Sequence, residues 1–321
     1  MRRLTDRLYD VVVVGGGNAA LTAAIAAHDA GARVLVLEKA PETLRGGNSR
    51  FTGGLFRTRY DGIADIRRLI PLSDDAAARV DVGQYTHDDF YRTVMRVTGG
   101  QADPELTNTL IERSLPTMEW MKHDLGVAWE FTDLWAVQDG DVLRFTPGAV
   151  VQALEKGVGL VQTLYEAAAR RGIPIAYRTK LMRLLQDTKG RVVGAQVKDA
   201  EGFAELPAVA VVLGSGGFQA NPEMRTRYLG PKWNTVKVRG TGFNTGDGHR
   251  AAMDLGAQPF GHWAGCHATP IDADAPAVGY LRLTDKTNRL SYLYGIMVNI
   301  YAKRFVDEGE DFGAYTYAKI G

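Results

Sequence analysis

Cysteine is nearly absent. Cys266 is the only one among 321 residues, which excludes an intrachain disulfide framework and any zinc or iron–sulfur site built on several thiolates. An excess of charge is missing too: 38 Lys+Arg against 37 Asp+Glu leave a formal +1. That balance gives no reason to expect nucleic acid or an acidic membrane surface as partner. No apolar run reaches the length of a membrane span. Residues 11–27 are mostly apolar, but Asp10 before them and the glycines at 15–17 fit a strand, turn and helix better than a leader peptide. The expectation is a cytoplasmic protein without a nucleic-acid partner. Histidine is scarce as well, and none lies between His28 and His87.

Glycine is plentiful. The 37 glycines make up about 11.5% of the chain, against about 7% in average usage, and they cluster. Residues 9–14 form a short β-branched run, typical of a strand buried on both faces. Gly15-Gly16-Gly17-Asn18-Ala19-Ala20 follows, then an Ala/Leu/Ile-rich helix ended by Gly31, then a second strand at 34–37 closed by Glu38. This is a βαβ opening carrying G-x-G-x-x-A. Gly15 permits the tight turn, Gly17 lets backbone approach a pyrophosphate, and Ala20 lets the helix pack closely on the strand. The free N–H groups at the helix start hold the anion, and Glu38 is placed to accept from a ribose. The competing reading is a glycine turn with no ligand; the strand–turn–helix setting argues against it. The motif does not choose between adenine dinucleotides.

Further on, residues 42–57 read as a loop containing Arg45-Gly46-Gly47-Asn48-Ser49-Arg50, rich in backbone amides and short hydroxyls. A flexible surface loop is the alternative there. Residues 60–145 read as a mostly helical insertion. Residues 158–171 suggest an amphipathic helix and 173–177 a strand. Segments 181–186, 191–198 and 204–207 suggest a meander turned at Lys189-Gly190. Residues 209–213 read as another buried strand, followed by Gly214-Ser215-Gly216-Gly217. A glycine-started helix is expected over 246–256, with loops and short strands beyond 260.

These blocks together resemble the fumarate reductase/succinate dehydrogenase flavoprotein family. The resemblance rests on residues 11–20, Glu38-Lys39, Gly46 to Ser49, Gly-Ser-Gly-Gly-Phe at 214–218, Thr245-Gly246-Asp247-Gly248, and G-I-M-V-N-I-Y-A-K-R-F-V-D-E at 295–308. It implies an α/β fold: a Rossmann-like FAD-binding domain over 1–261, carrying the helical insertion, with a substrate-capping domain starting at 262–321. It implies FAD held by Gly15, Gly17, Asn18, Ala19, Ala20, Glu38, Lys39, Gly46, Gly47, Asn48, Ser49, Gly216, Gly217, Gly246, Asp247 and Gly248. Covalent attachment in the family uses a histidine before the second Gly-Gly. This chain has none there, so non-covalent FAD is expected.

His267, within Cys266-His267-Ala268-Thr269, stands where the family carries His-Pro-Thr. The resemblance implies that His267 and Thr269 bind a substrate carboxylate and that Arg304 lines the capping side of the active site. A satisfied loop histidine and a surface arginine are the plain alternatives. His262, Cys266 and His267 lack a second cysteine or acidic ligand at a familiar spacing, so no metal is expected. Stretches 46–50, 224–231 and 265–268 resemble the members that dehydrogenate a tricarboxylate. Fumarate reductases, 3-ketosteroid dehydrogenases, a cobalamin-precursor flavoprotein and a non-catalytic FAD-binding remnant stay open. The expected partners are a small carboxylate substrate and a separate electron-transfer protein, soluble or membrane-bound. The family's proton-transfer arginine has no match in 309–314. With no match for the rest of the cap either, the expectation is a truncated or degenerate member that binds FAD weakly and turns over slowly or not at all, its site open on the flavin side and its last stretch poorly packed.

Overall fold

The computed structural model describes residues 8–132, 134–283, 286, 292 and 294–310; the expectation about residues 315–321 lies outside them. The chain opens with β1 (Tyr9–Val14), α1 (Asn18–Asp29) and β2 (Val34–Leu37). The valines of β1 alternate between two cores. Val13 packs toward Ala20, Leu21 and Ile25, whereas Val12 and Val14 join Leu35, Leu37, Leu184 and Val197 on the other face. Burial on both faces explains why the strand reads as a continuous apolar run rather than an alternating one. Ala20 and Ala24 of α1 are fully buried; their small side chains let the helix lie close on the sheet.

The segment expected to be a loop holds two short 3-10 turns, at Glu42–Leu44 and Gly47–Phe51, and β3 (Leu55–Phe56). The insertion is less helical than its sequence suggests. It contains α2 (Ile63–Leu69), α3 (Asp74–Ala77), β4 (Val80–Asp81), α4 (His87–Val97), α5 (Pro104–Trp120), β5 (Trp129–Phe131), β6 (Ala136–Asp139) and β7 (Val142–Phe145). With β8 (Val151–Ala153) these strands make two small sheets, ordered β3-β8-β5 and β4-β7-β6. Strands of two to four residues carry too few side chains for a period-2 pattern to register. The helices, by contrast, announce their starts. Thr86 and Asp89 form a reciprocal capping box at α4, and Asp103 caps α5 just before Pro104.

Next come α6 (Lys156–Arg170), β9 (Ile175–Ala176), β10 (Lys180–Gln186), β11 (Val192–Asp199), β12 (Gly202–Leu213), α7 (Pro222–Leu229) and α8 (Asp247–Met253). The main sheet is ordered β10-β11-β12-β1-β2-β9. β12 is one long strand, not two. Through Pro207 it pairs antiparallel with β11, and from Ala208 it pairs parallel with β1. The expectation of a strand buried throughout 209–213 does not hold: Val209 is 69% exposed, Val212 36% and Leu213 38%. Past Pro207 the neighbouring strand among the described residues is β1, so much of this apolar surface has no cover. Beyond 260 the chain is turn-rich, with only isolated bridge residues such as the Val298–Arg304 pair among the described residues. No helix among the described residues is long and apolar enough to cross a membrane.

Candidate functional site

A cavity of about 400 Å³ opens where β1, β2 and β12 end side by side. Parallel strands finishing together leave a crevice at their carboxyl ends, and here glycine turns line it. Gly15 has φ +111°, and a Cβ on it would run into the backbone of Gly214. Gly17 differs. Its φ is an ordinary −86°, and a Cβ would come 3.3 Å from Ser49 Oγ. Space, not backbone conformation, keeps that position small. Asn18 N donates to Ser49 Oγ at 3.0 Å, while Asn18 Oδ1 is buried with no hydrogen-bond partner. Ala20 lies against Gly214.

Glu38 is only 6% exposed and accepts from Ala40 N at 2.7 Å. Burial pushes its carboxyl above the ordinary carboxylate value, partly offset by backbone donors including Gly16 N–H and by Lys39. Tyr165, from α6, donates to Gly16 O at 2.9 Å behind it. Lys39 Nζ donates to Thr245 Oγ1 and to Asp247 Oδ2, each at 2.6 Å. Asp247 also meets Lys180 at 3.2 Å and Arg250 at 3.1 Å. Burial acts to raise the Asp247 carboxyl, but Lys39, Thr245 and Lys180 together bring it below its usual value.

Of the expected cofactor residues, Gly15, Gly17, Ala19, Glu38, Lys39, Gly47, Asn48, Ser49, Gly216 and Asp247 line the cavity. The others shape its walls from behind. Gly46 adopts a left-handed turn at φ +106° against Val161. Gly217 O accepts from Gly246 N at 3.2 Å, Gly246 starts α8 from the left-handed region, and Gly248 packs on Ser215. Thr179, Leu181, Thr241, Phe243, Asn244 and His249 also line the cavity. Sequence reasoning passed over them because no motif marks them; they arrive by tertiary approach. Asn48 Oδ1, for example, accepts from Thr241 N at 2.9 Å across a separation of 193 residues. A buried acid at the end of β2 and a cradle whose glycines leave no room for Cβ atoms fit an adenine dinucleotide.

The expected substrate residues stand apart from this wall. Burial holds the His267 imidazole below its ordinary value, and the charge of Arg239 adds to that. Arg239 Nη1 donates to Phe51 O at 3.1 Å, so the segment facing His267 is tied to the 47–51 turn. Thr269 Oγ1 is buried without a hydrogen-bond partner. Burial raises the Cys266 thiol, with Arg225 partly opposing. Arg304 lies on the turn-rich segment, its side chain 56% exposed, and pairs with Glu308 at 2.5 Å. That pair and the Met297 N–H hold the Glu308 carboxyl down at about 2. Among the described residues no cluster of three or more His, Cys, Asp or Glu could hold a metal ion.

Fold and cavity together define an FAD-binding flavoprotein. The chain belongs to the FAD binding domain family, whose model matches residues 10–269. It is 30% identical over 260 residues to a vinyl phenol reductase of Lactiplantibacillus plantarum, covering 79% of this chain and 47% of that protein. It is 31% identical over 253 residues to the fumarate reductase (cytochrome) of Shewanella frigidimarina, covering 77% and 40%. Among solved structures, the 3-ketosteroid-Δ4-(5α)-dehydrogenase of Rhodococcus jostii RHA1 superposes with a TM-score of 0.71 at 24% identity, covering 97% of this chain and 63% of that one. This last likeness shows a shared fold. The chain spans about half the length of the curated relatives it matches.

Proposed function

We propose that this chain is the FAD-binding portion of an oxidoreductase that acts on a carbon–carbon bond beside carboxylates, dehydrogenating tricarballylate to cis-aconitate. The observation that carries this reading is the tie between the two regions. Arg239 reaches the cofactor turn through Phe51 O, and its charge acts on His267. A cation, the His267 imidazole and the unsatisfied Thr269 hydroxyl are suited to a carboxylate.

FAD, when bound non-covalently, supplies the two-electron acceptor for a hydride leaving the substrate carbon. The chain's own residues bind and orient. Glu38 and the glycine turns fix the dinucleotide, while His267 and Thr269 hold one substrate carboxylate. Arg304 closes on the substrate from the capping side, with its partner Glu308 orienting the guanidinium. The hydrogens removed are weakly acidic, so rate comes from holding the carbon in place and from cations that stabilise developing charge. Residues 1–261 form the cofactor domain and 262–321 the start of the cap. Electrons leave through a separate redox protein, and the setting is the cytoplasm. The varied chemistry named for the relatives favours a second reading, the same cofactor domain serving a different unsaturated or saturated substrate.

The test is an anaerobic screen of saturated di- and tricarboxylates and steroids as reductants of the oxidised flavin, with fumarate tried as an oxidant of the reduced flavin. Tricarballylate should bleach the visible absorbance of the oxidised flavin faster than the other compounds. Bleaching by a steroid alone, with no response to any carboxylate, would overturn the substrate class.

A further inference from the structure

His249 belongs to no glycine motif, yet it lines the cofactor cavity. Its Nδ1 is buried and has no hydrogen-bond partner in the protein. A buried polar atom left unpaired is costly, so an orphan nitrogen on a ring that lines a ligand cavity points to a partner on the ligand. The ring is nevertheless held firmly. Trp263 meets it edge-on at 5.2 Å and Phe218 at 6.2 Å. Trp263 in turn packs on Tyr228 at 4.7 Å and on Phe218 at 5.7 Å. Such a clamp sets the ring plane and leaves the nitrogen directed by packing alone. Burial also keeps the imidazole below its ordinary value. At neutral pH it is therefore uncharged, with one ring nitrogen a donor and the other an acceptor.

The position of α8 says which half of the dinucleotide lies nearby. Asp247, its first residue, pairs with Lys39 at 2.6 Å and Lys180 at 3.2 Å. Lys39 follows the ribose acid Glu38, and Lys180 opens β10 beside Thr179 and Leu181 of the cavity wall. Gly248 sits against Ser215. α8 is thus tied to Lys39, next to the acid expected to receive the adenosine ribose.

We propose that His249 is a cofactor-binding residue whose Nδ1 hydrogen-bonds the adenosine half of FAD, with the ring fixed by Phe218 and Trp263. The inference rests on FAD being the cofactor, not on any choice of substrate. Binding of FAD and of ADP to the apoprotein, measured by calorimetry, tests it with no turnover required. His249→Phe keeps the aromatic contacts and deletes the nitrogen. It should bind both ligands about tenfold more weakly, the loss of a single hydrogen bond. His249→Asn places an amide near the Nδ1 position and should stay within about threefold of wild type for both. Unchanged FAD affinity in His249→Phe overturns the proposal, and so does a loss for FAD that is not shared by ADP. Should His249→Phe fail to fold, the wild-type protein carrying isotope-labelled histidine decides. Its His249 Nδ1 resonance should shift on saturation with ADP, and a resonance that stays in place overturns the assignment. Tight FAD and ADP binding by wild type keeps the cofactor assignment intact in either case.

Discussion

Around the cofactor cavity the glycine turns and Glu38 stand where strands of the main sheet end, backed by a buried core. Gly15 leaves β1, Glu38 leaves β2 and Gly214 leaves β12. Between 260 and 310 the described chain is mostly turns, and large apolar side chains stand in solvent: Tyr294 is 91% exposed and Ile300 90%. The difference lies in what holds each region. The cavity wall is fixed by sheet register, so its geometry exists before any ligand arrives. The loops beyond 260 hang on a few long-range ties, such as Val238 N to Ala277 O at 2.9 Å and Gly279 N to Gly240 O at 2.8 Å. Preorganisation favours tight cofactor binding, whereas loops let a substrate site change without disturbing the sheet.

The sharpest way to break this contrast is Gly17→Val. The backbone there accepts a side chain, so the protein should fold, but the added methyls occupy the cavity. FAD affinity should fall by about a hundredfold, an upper-end overpacking effect, and the purified protein should be colourless. A yellow Gly17→Val protein would move the dinucleotide elsewhere. On the other side of the comparison, His267→Ala should weaken tricarballylate binding about tenfold and leave FAD content untouched. Equal substrate affinity would return His267 to an ordinary loop residue.

Glu38→Gln sharpens the cofactor side, with opposite effects on ligand and apoprotein. The wild-type carboxyl is raised above its ordinary 4.5 mainly by burial. Its folded form therefore holds the proton more tightly than the unfolded chain does. Stability from this source is fully present below the unfolded value and is lost as pH rises through the raised one. Above that window Glu38→Gln should melt higher than wild type in the absence of FAD, while binding FAD several-fold more weakly because a ribose acceptor is lost. A thermal-shift series across pH, with and without FAD, reads both. A lower melting point for the apo variant at neutral pH contradicts the burial argument.

Two smaller effects belong to the loops and to attachment. Glu308, held at about 2, is depressed, so its contribution is present above the ordinary value and disappears as pH falls through the lowered one. Hydrogen exchange at the Met297 amide, which donates to Glu308, should accelerate over that acid range while the cavity wall stays protected. Uniform loosening of both regions would deny their independence. Acid precipitation should release all the flavin from the denatured chain, since no histidine stands between His28 and His87; flavin left on the pellet would identify another attachment residue.

Much of the cavity is legible in order along the chain. G-x-G-x-x-A, Glu38, Gly46 to Ser49 and the 214–217 and 246–248 blocks all reach it, because a tight turn beside a pyrophosphate admits few residue types. The roles divide less readably. Gly15 is demanded by its backbone angle and its contact with Gly214, Gly17 by open space, and Gly246 by the start of a helix, yet all are written with the same letter. Thr241, Phe243 and His249 carry no such mark, since ordinary residues become wall residues only when a distant segment brings them there.

The sequence by itself determined the βαβ opening, its glycine turn and the acid that closes the second strand, because β-branched runs, glycine spacing and helix ends act within a few residues. Tertiary structure decided the rest. It made β12 one strand that changes partner at Pro207, turned part of a helical-looking insertion into two small sheets, and joined Lys39 to Asp247 across 208 residues. It also left Val209 and Leu213 exposed where composition predicts burial. Burial and ion pairing depend on which surfaces meet, and a local pattern carries no record of the surface that will face it.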